Sequence, residues 1–309
     1  MDSPRIAYLG PVGTYAEKAA RHFAALQGWQ QSRLEPRYGI STVLRALAEG
    51  DVEAAVVPVE NSVEGGVTTT LDTLWTEGGL RIVRALVMPI RHALLSSGVL
   101  GGISEVISHP QALAQCSGWL TEHLPRALQL PTTSTAEAAR MVHGSRFRAA
   151  IASIEAAREQ DLSVLAHPIN DVAGNCTRFL LLRQGRGEGP ASTAAATAAD
   201  NPSGPLEHYT SLAFSLHANI PGALLQALQP FADRGLSMSR IESRPSKREL
   251  GEYIFFVDLE ADLSPAQLQA LLADLHTLCE RLLWLGSYAL TDLTAMGNPD
   301  QQPGGRAGR

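Results

Sequence analysis

A change in composition between residues 184 and 205 constrains this chain most. The stretch is mostly Gly, Ala, Ser, Thr and Pro and has hardly any large apolar residue, so it is typical of a flexible linker. Apolar patterns resume on both sides, and 309 residues are more than one small core requires. We therefore predict an N-terminal domain over 1–183, a linker over 184–206, a C-terminal domain over 207–290 and a disordered tail over 291–309.

The N-terminal domain opens with a strand, a glycine turn and a helix. Residues 5–9 form an apolar run, and Thr14 with Glu17 then has the spacing of a helix capping box. The pattern recurs where Ser108 ends a second strand and Gln111 follows in the first helical turn. Such junctions direct backbone N–H groups and the positive end of a helix dipole toward a strand end, which suits anion binding. On this stretch alone, plain helix capping is the simpler explanation.

Two segments of this domain share a sequence pattern, which we call the internal echo. Residues 50–60 and 144–155 each follow a capped helix that ends at a glycine, and each reads as a buried strand, with one residue inserted in the second. The first copy continues with Asn61 and Ser62, where the second has alanines. The strand-to-helix turn therefore does not require the polar pair, which favours a functional role for it.

The two copies predict two α/β lobes with a cleft between them. We expect lobe one to comprise about residues 1–80 and 168–183, and lobe two about residues 81–167. The chain re-enters lobe one through residues 167–171, which would form a natural hinge.

The segment Gly-Asn-Cys-Thr-Arg-Phe places a dense set of polar groups at the entrance of a buried strand. Asn175, Thr177, Arg178 and the ring of Phe179 directly precede the apolar run 180–182. Side chains from neighbouring elements can converge at such a position. By itself the segment is weak evidence, because a capped strand start has a similar composition.

The C-terminal domain alternates strands and helices in the order βαββαβ. The predicted strands lie at residues 211–217, 236–242, 253–259 and 283–290, the predicted helices at 221–235 and 264–281, and a predicted loop at 243–245. This order gives an antiparallel sheet with two helices on one face. The predicted fold class is α/β, with a bilobal region followed by a ferredoxin-like domain.

Composition excludes several classes of function. A net charge of −6 argues against nucleic-acid binding, and no apolar run approaches the ~20 residues that span a bilayer. The N-terminus lacks the layout of a signal or transit peptide, so we expect a cytoplasmic protein. The three cysteines lie far apart, no His/Cys/Asp set has metal-ligand spacing, and the first glycine turn lacks the third glycine of a dinucleotide loop. We expect no metal and no organic cofactor.

Five ordered motifs resemble the prephenate dehydratase family. They are residues 8–15 (YLGPVGTY), 58–65 (PVENSVEG), 109–113 (HPQAL), 175–179 (NCTRF) and, in a C-terminal module that is similar to the ACT domain, 221–224 (PGAL) with 241–245 (IESRP). The resemblance implies a catalytic region shaped like a periplasmic binding protein. No chorismate-mutase segment precedes the motifs, so we expect the monofunctional form.

The family's reaction converts prephenate to phenylpyruvate, water and carbon dioxide, without a metal or organic cofactor. The resemblance and the chemistry of the residues together assign Thr177 to the departing hydroxyl, Arg178 to a substrate carboxylate and Phe179 to the wall of the cleft. Helix starts near Thr14, Ser62 and Ser108 would hold the second anion. Glu60 is an alternative acid that ranks lower, because an anion beside a dianionic substrate is costly. The expected substrate-binding residues are Thr14, Glu60, Asn61, Ser62, His109, Gln111 and Asn175.

The ACT-like module implies a phenylalanine sensor. The expected effector-binding residues are Gly222, Ala223, Leu224, Glu242, Ser243, Arg244 and Pro245. Sheets of this kind commonly pair edge to edge, so a homodimer or homotetramer with the effector at its interface is expected. Two alternatives stay open: a non-catalytic solute-binding protein, which shares the two-lobed plan, and an arogenate dehydratase, which performs the same chemistry on the amino-acid analogue.

Overall fold

The computed structural model describes residues 4–185 and 207–294. These residues form two sheets: a long sheet that runs through lobe one and the C-terminal domain, and a five-stranded sheet in lobe two. The predicted linker and most of the predicted tail lie outside the described residues. No helix among the described residues is long and apolar enough to cross a membrane.

Lobe one is a five-stranded sheet flanked by three helices, with a two-residue strand at one side. Its elements are β1 (Arg5–Leu9), α1 (Tyr15–Leu26), β2 (Arg33–Arg37), α2 (Ile40–Ala48), β3 (Ala54–Asn61), β4 (Gly65–Gly66), α3 (Thr68–Glu77), β5 (Leu80–Pro89) and, after the excursion through lobe two, β11 (Cys176–Gln184). The strand order is β2-β1-β3-β11-β5, and β4 pairs with β3. Strands β1, β2 and β3 are parallel, while β11 runs antiparallel between β3 and β5.

Lobe two repeats this plan. Its elements are β6 (Ala93–Ser96), a 3-10 turn (Leu100–Gly102), β7 (Glu105–Ser108), α4 (Pro110–Gln115), α5 (Ser117–His123), β8 (Leu128–Pro131), α6 (Thr135–Val142), β9 (Arg148–Ala152), α7 (Ile154–Glu159) and β10 (Ser163–Ala166). The strand order is β8-β7-β9-β6-β10, with three parallel strands followed by an antiparallel one, as in lobe one. Strands β3 and β9, which carry the internal echo, take the same third place in their parallel sets.

The boundary between the lobes differs from the one predicted. We expected lobe two to begin at residue 81, but β5 pairs with β11 and therefore belongs to lobe one. The crossing occurs at residues 90–92 and is tied to the returning segment: Ile90 N donates to Asn175 O at 2.8 Å, and Ile169 N donates to His92 O at 3.0 Å. The apolar run through residues 80–95 concealed this change of lobe, because it contains no turn residue between the strands except Pro89.

The C-terminal domain has the predicted βαββαβ order. Its elements are β12 (Glu207–Leu216), α8 (Ala223–Ala232), β13 (Met238–Pro245), β14 (Tyr253–Leu259), α9 (Pro265–Leu278) and β15 (Cys279–Asp292). Two predicted details were wrong. Residues 243–245 lie in β13 rather than in a loop, and β15 continues to Asp292, so the ordered chain does not stop at residue 290.

The C-terminal sheet is sandwiched between its own helices and lobe one. On one face Phe214, Val257 and Leu271 belong to a core cluster beneath α8 and α9. On the other face Phe256 and Tyr288 share a core with residues of α2, α3 and β3. Strand β15 also pairs in parallel with β5, and this pairing joins the strands of the C-terminal domain to those of lobe one in the single long sheet. One face of the C-terminal sheet is therefore packed against lobe one.

Candidate active site

A cavity of about 340 Å³ lies between the two lobes. Its walls come from the ends of β1, β3 and β11 in lobe one and from the first turns of helices in both lobes. The crossing at residues 90–92, which we call the hinge because it is bonded to the returning segment, also lines it. The lining residues are Leu9, Gly10, Thr14, Tyr15, Ala16, Ile40, Pro58, Asn61, Val67, Ile90, His92, His109, Gln111, Ala112, Gln115, Thr133, Ser134, Thr135, Thr177 and Phe179. Among the sequence-predicted residues, Thr14, Asn61, His109, Gln111, Thr177 and Phe179 meet here.

Several helices begin at this cavity, and two of those with at least two turns have a side-chain cap, one in each lobe. Thr14 caps α1, with its Oγ1 accepting from Glu17 N at 3.3 Å and donating to Leu9 O at 2.9 Å. Ser134 caps α6, with its Oγ accepting from Glu137 N at 3.0 Å. The first turn of a helix leaves N–H groups without intrahelical acceptors, and the helix dipole makes this end positive.

The capping box predicted at α1 is only half present. The Glu17 side chain accepts from Gly13 N at 2.6 Å instead of reaching back to the N–H of Thr14. The carboxylate therefore fixes the glycine turn before the helix.

Asn61 and Thr177 face each other across β3 and β11. They are direct partners in the strand register, and the Asn61 Nδ2 donates to Thr177 Oγ1 at 2.9 Å. A register shift just beyond this pair lets both Pro58 and Asn61 face the cavity, although residues three apart on a regular strand face opposite sides. In this contact the Asn61 amide is the donor and the Thr177 oxygen is the acceptor. The contact therefore does not use the Thr177 O–H, which can donate to a ligand.

A chain of neutral side chains extends from this pair to the hinge. Asn61 Nδ2 also donates to Asn175 Oδ1 at 2.9 Å, and Asn175 Nδ2 donates to Gln115 Oε1 at 2.9 Å. Gln115 Oε1 in turn lies 3.2 Å from His92 Nε2. Asn61 Oδ1 accepts from the N–H groups of the loop after β3, at 3.0 and 3.1 Å, so the amide has no freedom to rotate.

His92 lies at the end of this chain and is only 3% exposed. Burial lowers the pKa of His92 to about 4, although the hydrogen bond to Gln115 acts in the opposite direction. The imidazole is therefore neutral at neutral pH. Since Nε2 donates to the Gln115 oxygen, Nδ1 is left as an acceptor, and this atom is buried without a hydrogen-bond partner among the described residues.

Arg178 does not lie where the sequence suggested. Successive residues of a strand face opposite sides, so Thr177 and Phe179 line the cavity while Arg178 faces the C-terminal domain. Its guanidinium donates to Asp258 at 2.7 Å and lies 2.9 Å from Glu60. Glu60 shares this face, so neither residue contacts the cavity, and their predicted substrate-binding roles are corrected.

Some of the other predicted residues line the cavity, and others hold the entrance of β11 in place. His109 caps α4, with Nδ1 accepting from Gln111 N at 3.3 Å, and both side chains border the cavity. Ser62 and Asn175 support the strand entrance instead: Ser62 Oγ accepts from Cys176 N at 3.0 Å. Ser108 Oγ is buried and donates to Ile151 O at 2.6 Å, and His109 rather than Ser108 caps the helix that begins at Pro110.

Sequence reasoning missed His92, Gln115 and Ser134 as lining residues. Gln115 follows Gln111 by one helical turn, so its spacing could have placed it on the same face. Ser134 and Glu137 have the spacing of a helix cap and its partner, but nothing in the local sequence connects this helix start with the cavity. Nothing in the local sequence distinguishes His92, whose role arises from the fold of the hinge.

No Asp, Glu, Lys or Arg is among the described residues that line the cavity. An anion bound there would be held by helix N-termini and by neutral N–H and O–H donors. Such groups suit a negatively charged ligand. Among the described residues no group of three or more His, Cys, Asp and Glu could hold a metal ion.

A second cavity, of about 360 Å³, lies in the C-terminal domain. Of the predicted effector-binding residues, Gly222, Ala223 and Leu224 line it, together with residues of the strand ends at 215–217 and 251–255. Gly222 has φ +87°, a conformation that side chains disfavour. Glu242 and Arg244 face lobe one, where Arg244 binds Asp72 at 3.1 and 3.3 Å, while Ser243 and Pro245 are exposed on the edge strand β13.

Comparison with known proteins adds findings of three kinds, from family profiles, curated relatives and solved structures. The profile of the prephenate dehydratase family matches residues 6–186, and that of the ACT domain matches residues 210–277. The chain is 38% identical over 288 residues to a prephenate dehydratase of Amycolatopsis methanolica, covering 93% of this chain and 89% of the relative. Among solved structures, it is similar to the prephenate dehydratase of Arthrobacter aurescens in complex with L-Phe, with 36% identity, a TM-score of 0.79, and coverage of 92% and 90%. It is also similar to GqqA, described as a novel type of quorum quenching acylase, with 28% identity, a TM-score of 0.74, and coverage of 93% and 98%.

Proposed function

The chain belongs to the prephenate dehydratase family, and we propose that its inter-lobe cavity converts prephenate to phenylpyruvate, water and carbon dioxide. The observation that carries this proposal is the Asn61–Thr177 pair, whose hydroxyl donor faces a cavity bordered by helix N-termini and free of carboxylates. A dianion is the ligand that such a cavity suits, and a hydroxyl donor is the group that its departing hydroxyl needs.

The first turns of α1 and α6 are proposed to hold the two substrate carboxylates. They belong to different lobes, so a ligand with an anion at each end would hold the cleft closed. His109 and Gln111 add neutral donors beside them. We no longer assign a carboxylate to Arg178, since its guanidinium is engaged with Asp258 and Glu60.

Thr177 is proposed to stabilise the departing hydroxyl. Loss of carbon dioxide from the ring supplies the electron pair that expels the hydroxyl, and the ring becomes aromatic. The substrate therefore contains its own driving force, and the protein has to orient it and stabilise the developing charge on the leaving oxygen. The amide of Asn61 donates to Thr177 Oγ1, which directs the hydroxyl proton away from Asn61 and polarises it. A threonine is a weak acid, so we assign it a hydrogen bond to the leaving oxygen, and the proton that converts the expelled hydroxide to water comes from solvent.

Two substitutions of Thr177 test this role. Thr177→Val keeps the β-branched shape and removes the donor, so kcat should fall by about 100-fold or more, the scale of losing one preorganised donor. Thr177→Ser keeps the hydroxyl and should retain kcat within about 10-fold. The measurement is the ultraviolet absorbance of phenylpyruvate in alkali. Equal turnover by the wild type and the valine variant would remove this assignment.

The same assay separates the alternatives. No phenylpyruvate from the wild type would favour a ligand-binding protein, and faster turnover of arogenate than of prephenate would favour the amino-acid analogue as substrate.

We further propose that phenylalanine binds the cavity beside Gly222 and that a second copy of the chain completes the site. Ser243 and Pro245, also expected at the site, lie on an edge strand away from this cavity, so a homodimer or homotetramer would have to bring them there. The cytoplasmic location remains a prediction.

Gly222→Ala tests the effector site. Its left-handed backbone disfavours a side chain, so the concentration of phenylalanine for half-maximal effect should rise several-fold while basal turnover is kept. Gly101→Ala, at an open position of lobe two, is the control. Unchanged calorimetric binding of phenylalanine by the Gly222 variant would place the effector elsewhere.

A further inference from the structure

Directly behind the Asn61–Thr177 pair lies a buried ion-pair cluster that the reaction does not use. Arg178 follows Thr177 on β11, and Glu60 precedes Asn61 on β3. Their side chains leave the sheet on the face opposite the cavity and form a salt bridge of 2.9 Å. This pair therefore links the two strands at the residues that adjoin the proposed catalytic contact.

The charge that completes this cluster comes from the C-terminal domain. Asp258 of β14 has a side chain only 4% exposed, and its Oδ2 accepts from Arg178 at 2.7 Å and from Arg240 Nε at 2.9 Å. Its Oδ1 accepts from Ser211 Oγ at 2.6 Å, and Ser211 Oγ also bonds the Tyr288 hydroxyl at 2.7 Å. One carboxylate thus receives hydrogen bonds from three strands, of which only β11 belongs to the catalytic domain.

The charges of Arg178 and Asp258 are buried, so each requires the other as a counterion. The Arg178 side chain is 10% exposed, and its other partner, Glu60, is 39% exposed. Burial opposes charge on both Arg178 and Asp258, but the surrounding groups together outweigh it: the pKa of Arg178 is raised by Asp258 with help from Tyr288 and Glu60, and the pKa of Asp258 is lowered by Arg240, Arg178 and Ser211. A buried guanidinium that loses its main counterion has to move toward another acceptor or toward water.

We propose that Asp258 is a positioning residue for the reaction, supplied to the catalytic domain by the ACT domain. It acts through Arg178, whose backbone is continuous with Thr177 and whose guanidinium holds Glu60 behind Asn61. If the guanidinium moves, the two strands lose one of the constraints, besides the strand pairing itself, that keep Asn61 and Thr177 at hydrogen-bonding distance. The inference rests on the proposed role of Thr177.

A matched pair of substitutions tests the proposal. Asp258→Asn keeps the shape and removes the charge. Asp72→Asn does the same to a carboxylate of α3 that also links the two domains, through Arg244 and Lys247, but is not adjacent to β11. Urea unfolding is measured first, and kcat and KM for prephenate are then measured where both full-length variants are folded. We expect kcat to fall at least 10-fold in Asp258→Asn with KM within about 3-fold, and to stay within 2-fold in Asp72→Asn.

Two results would overturn the proposal. One is a kcat of Asp258→Asn within 2-fold of the wild type, and the other is an equal loss in both variants that follows their stability. If Asp258→Asn does not fold, Asp258→Glu replaces it: the charge is kept but displaced by one methylene, and a 5-fold or larger loss of kcat is expected, with retention within 2-fold counting against the proposal. The Thr177→Val result separates the two levels. If that variant is fully active, the proposed function of Thr177 fails; if it is impaired while Asp258→Asn is not, only the positioning role fails.

Discussion

Replacing His92 by glutamine should remove a pH-dependent loss of stability. The buried imidazole has its pKa lowered from 6.5 to about 4, so it is neutral in the folded protein over a range in which the unfolded chain binds a proton. Because the unfolded state binds more protons, stability falls as the pH drops below the unfolded pKa, and the loss is complete below the folded pKa. Between pH 8 and pH 5 these two pKa values correspond to about 2 kcal/mol of lost unfolding free energy.

Urea unfolding at pH 8 and pH 5 measures this contribution. The variant His92→Gln has no titrating group at this position and can still hydrogen-bond to Gln115. Between pH 8 and pH 5 the wild type should therefore lose about 2 kcal/mol more unfolding free energy than the variant does. Contributions from other titrating groups are the same in both proteins and cancel in this comparison. His276→Gln, at an exposed position of α9, is the matched control substitution. A difference between wild type and His92→Gln that is equal at both pH values would show that His92 is not buried as a neutral group.

Two further substitutions test the junction between domains and a helix start. Gly286→Ala should destabilise the protein by more than about 2 kcal/mol in urea unfolding, because its φ is +141° and a Cβ would lie 2.3 Å from the Ile82 carbonyl oxygen, where β15 passes β5. Ser264→Ala removes a complete capping box from α9 and should cost about 1 kcal/mol, measured in the same way. For each variant, a urea midpoint of unfolding equal to that of the wild type would contradict the expectation.

Patterns within one element or one repeat were sufficient for most of the fold. The echo between residues 50–60 and 144–155 predicted two lobes on one plan, and the strand orders confirm it. The βαββαβ order of the C-terminal domain followed from local periodicity. The capping side chain of Thr14 was also predictable, because a cap and its partner are three residues apart.

Features that depend on pairing between distant strands were not readable. The register shift between β3 and β11 decides that Asn61 rather than Glu60 faces the cavity, and no local signal marks it. The lobe boundary was misplaced for the same reason, because β5 is assigned to lobe one only by its pairing with β11. His92 joined the site only when the hinge brought it to Gln115, which is 23 residues away in the sequence.

The placement of Arg178 shows how strand geometry divides the work of adjacent residues. The segment 177–179 reads as one cluster, and chemistry alone assigns its arginine to a dianionic substrate. However, side chains alternate along a strand, so a central strand with a cavity on one face must direct every second residue elsewhere. Here the other face is covered by a second domain, which provides a carboxylate where the arginine emerges. A buried arginine so close to the reacting groups is tolerated because its counterion comes from outside the lobe, and the catalytic strand is therefore coupled to the domain that we propose binds the effector.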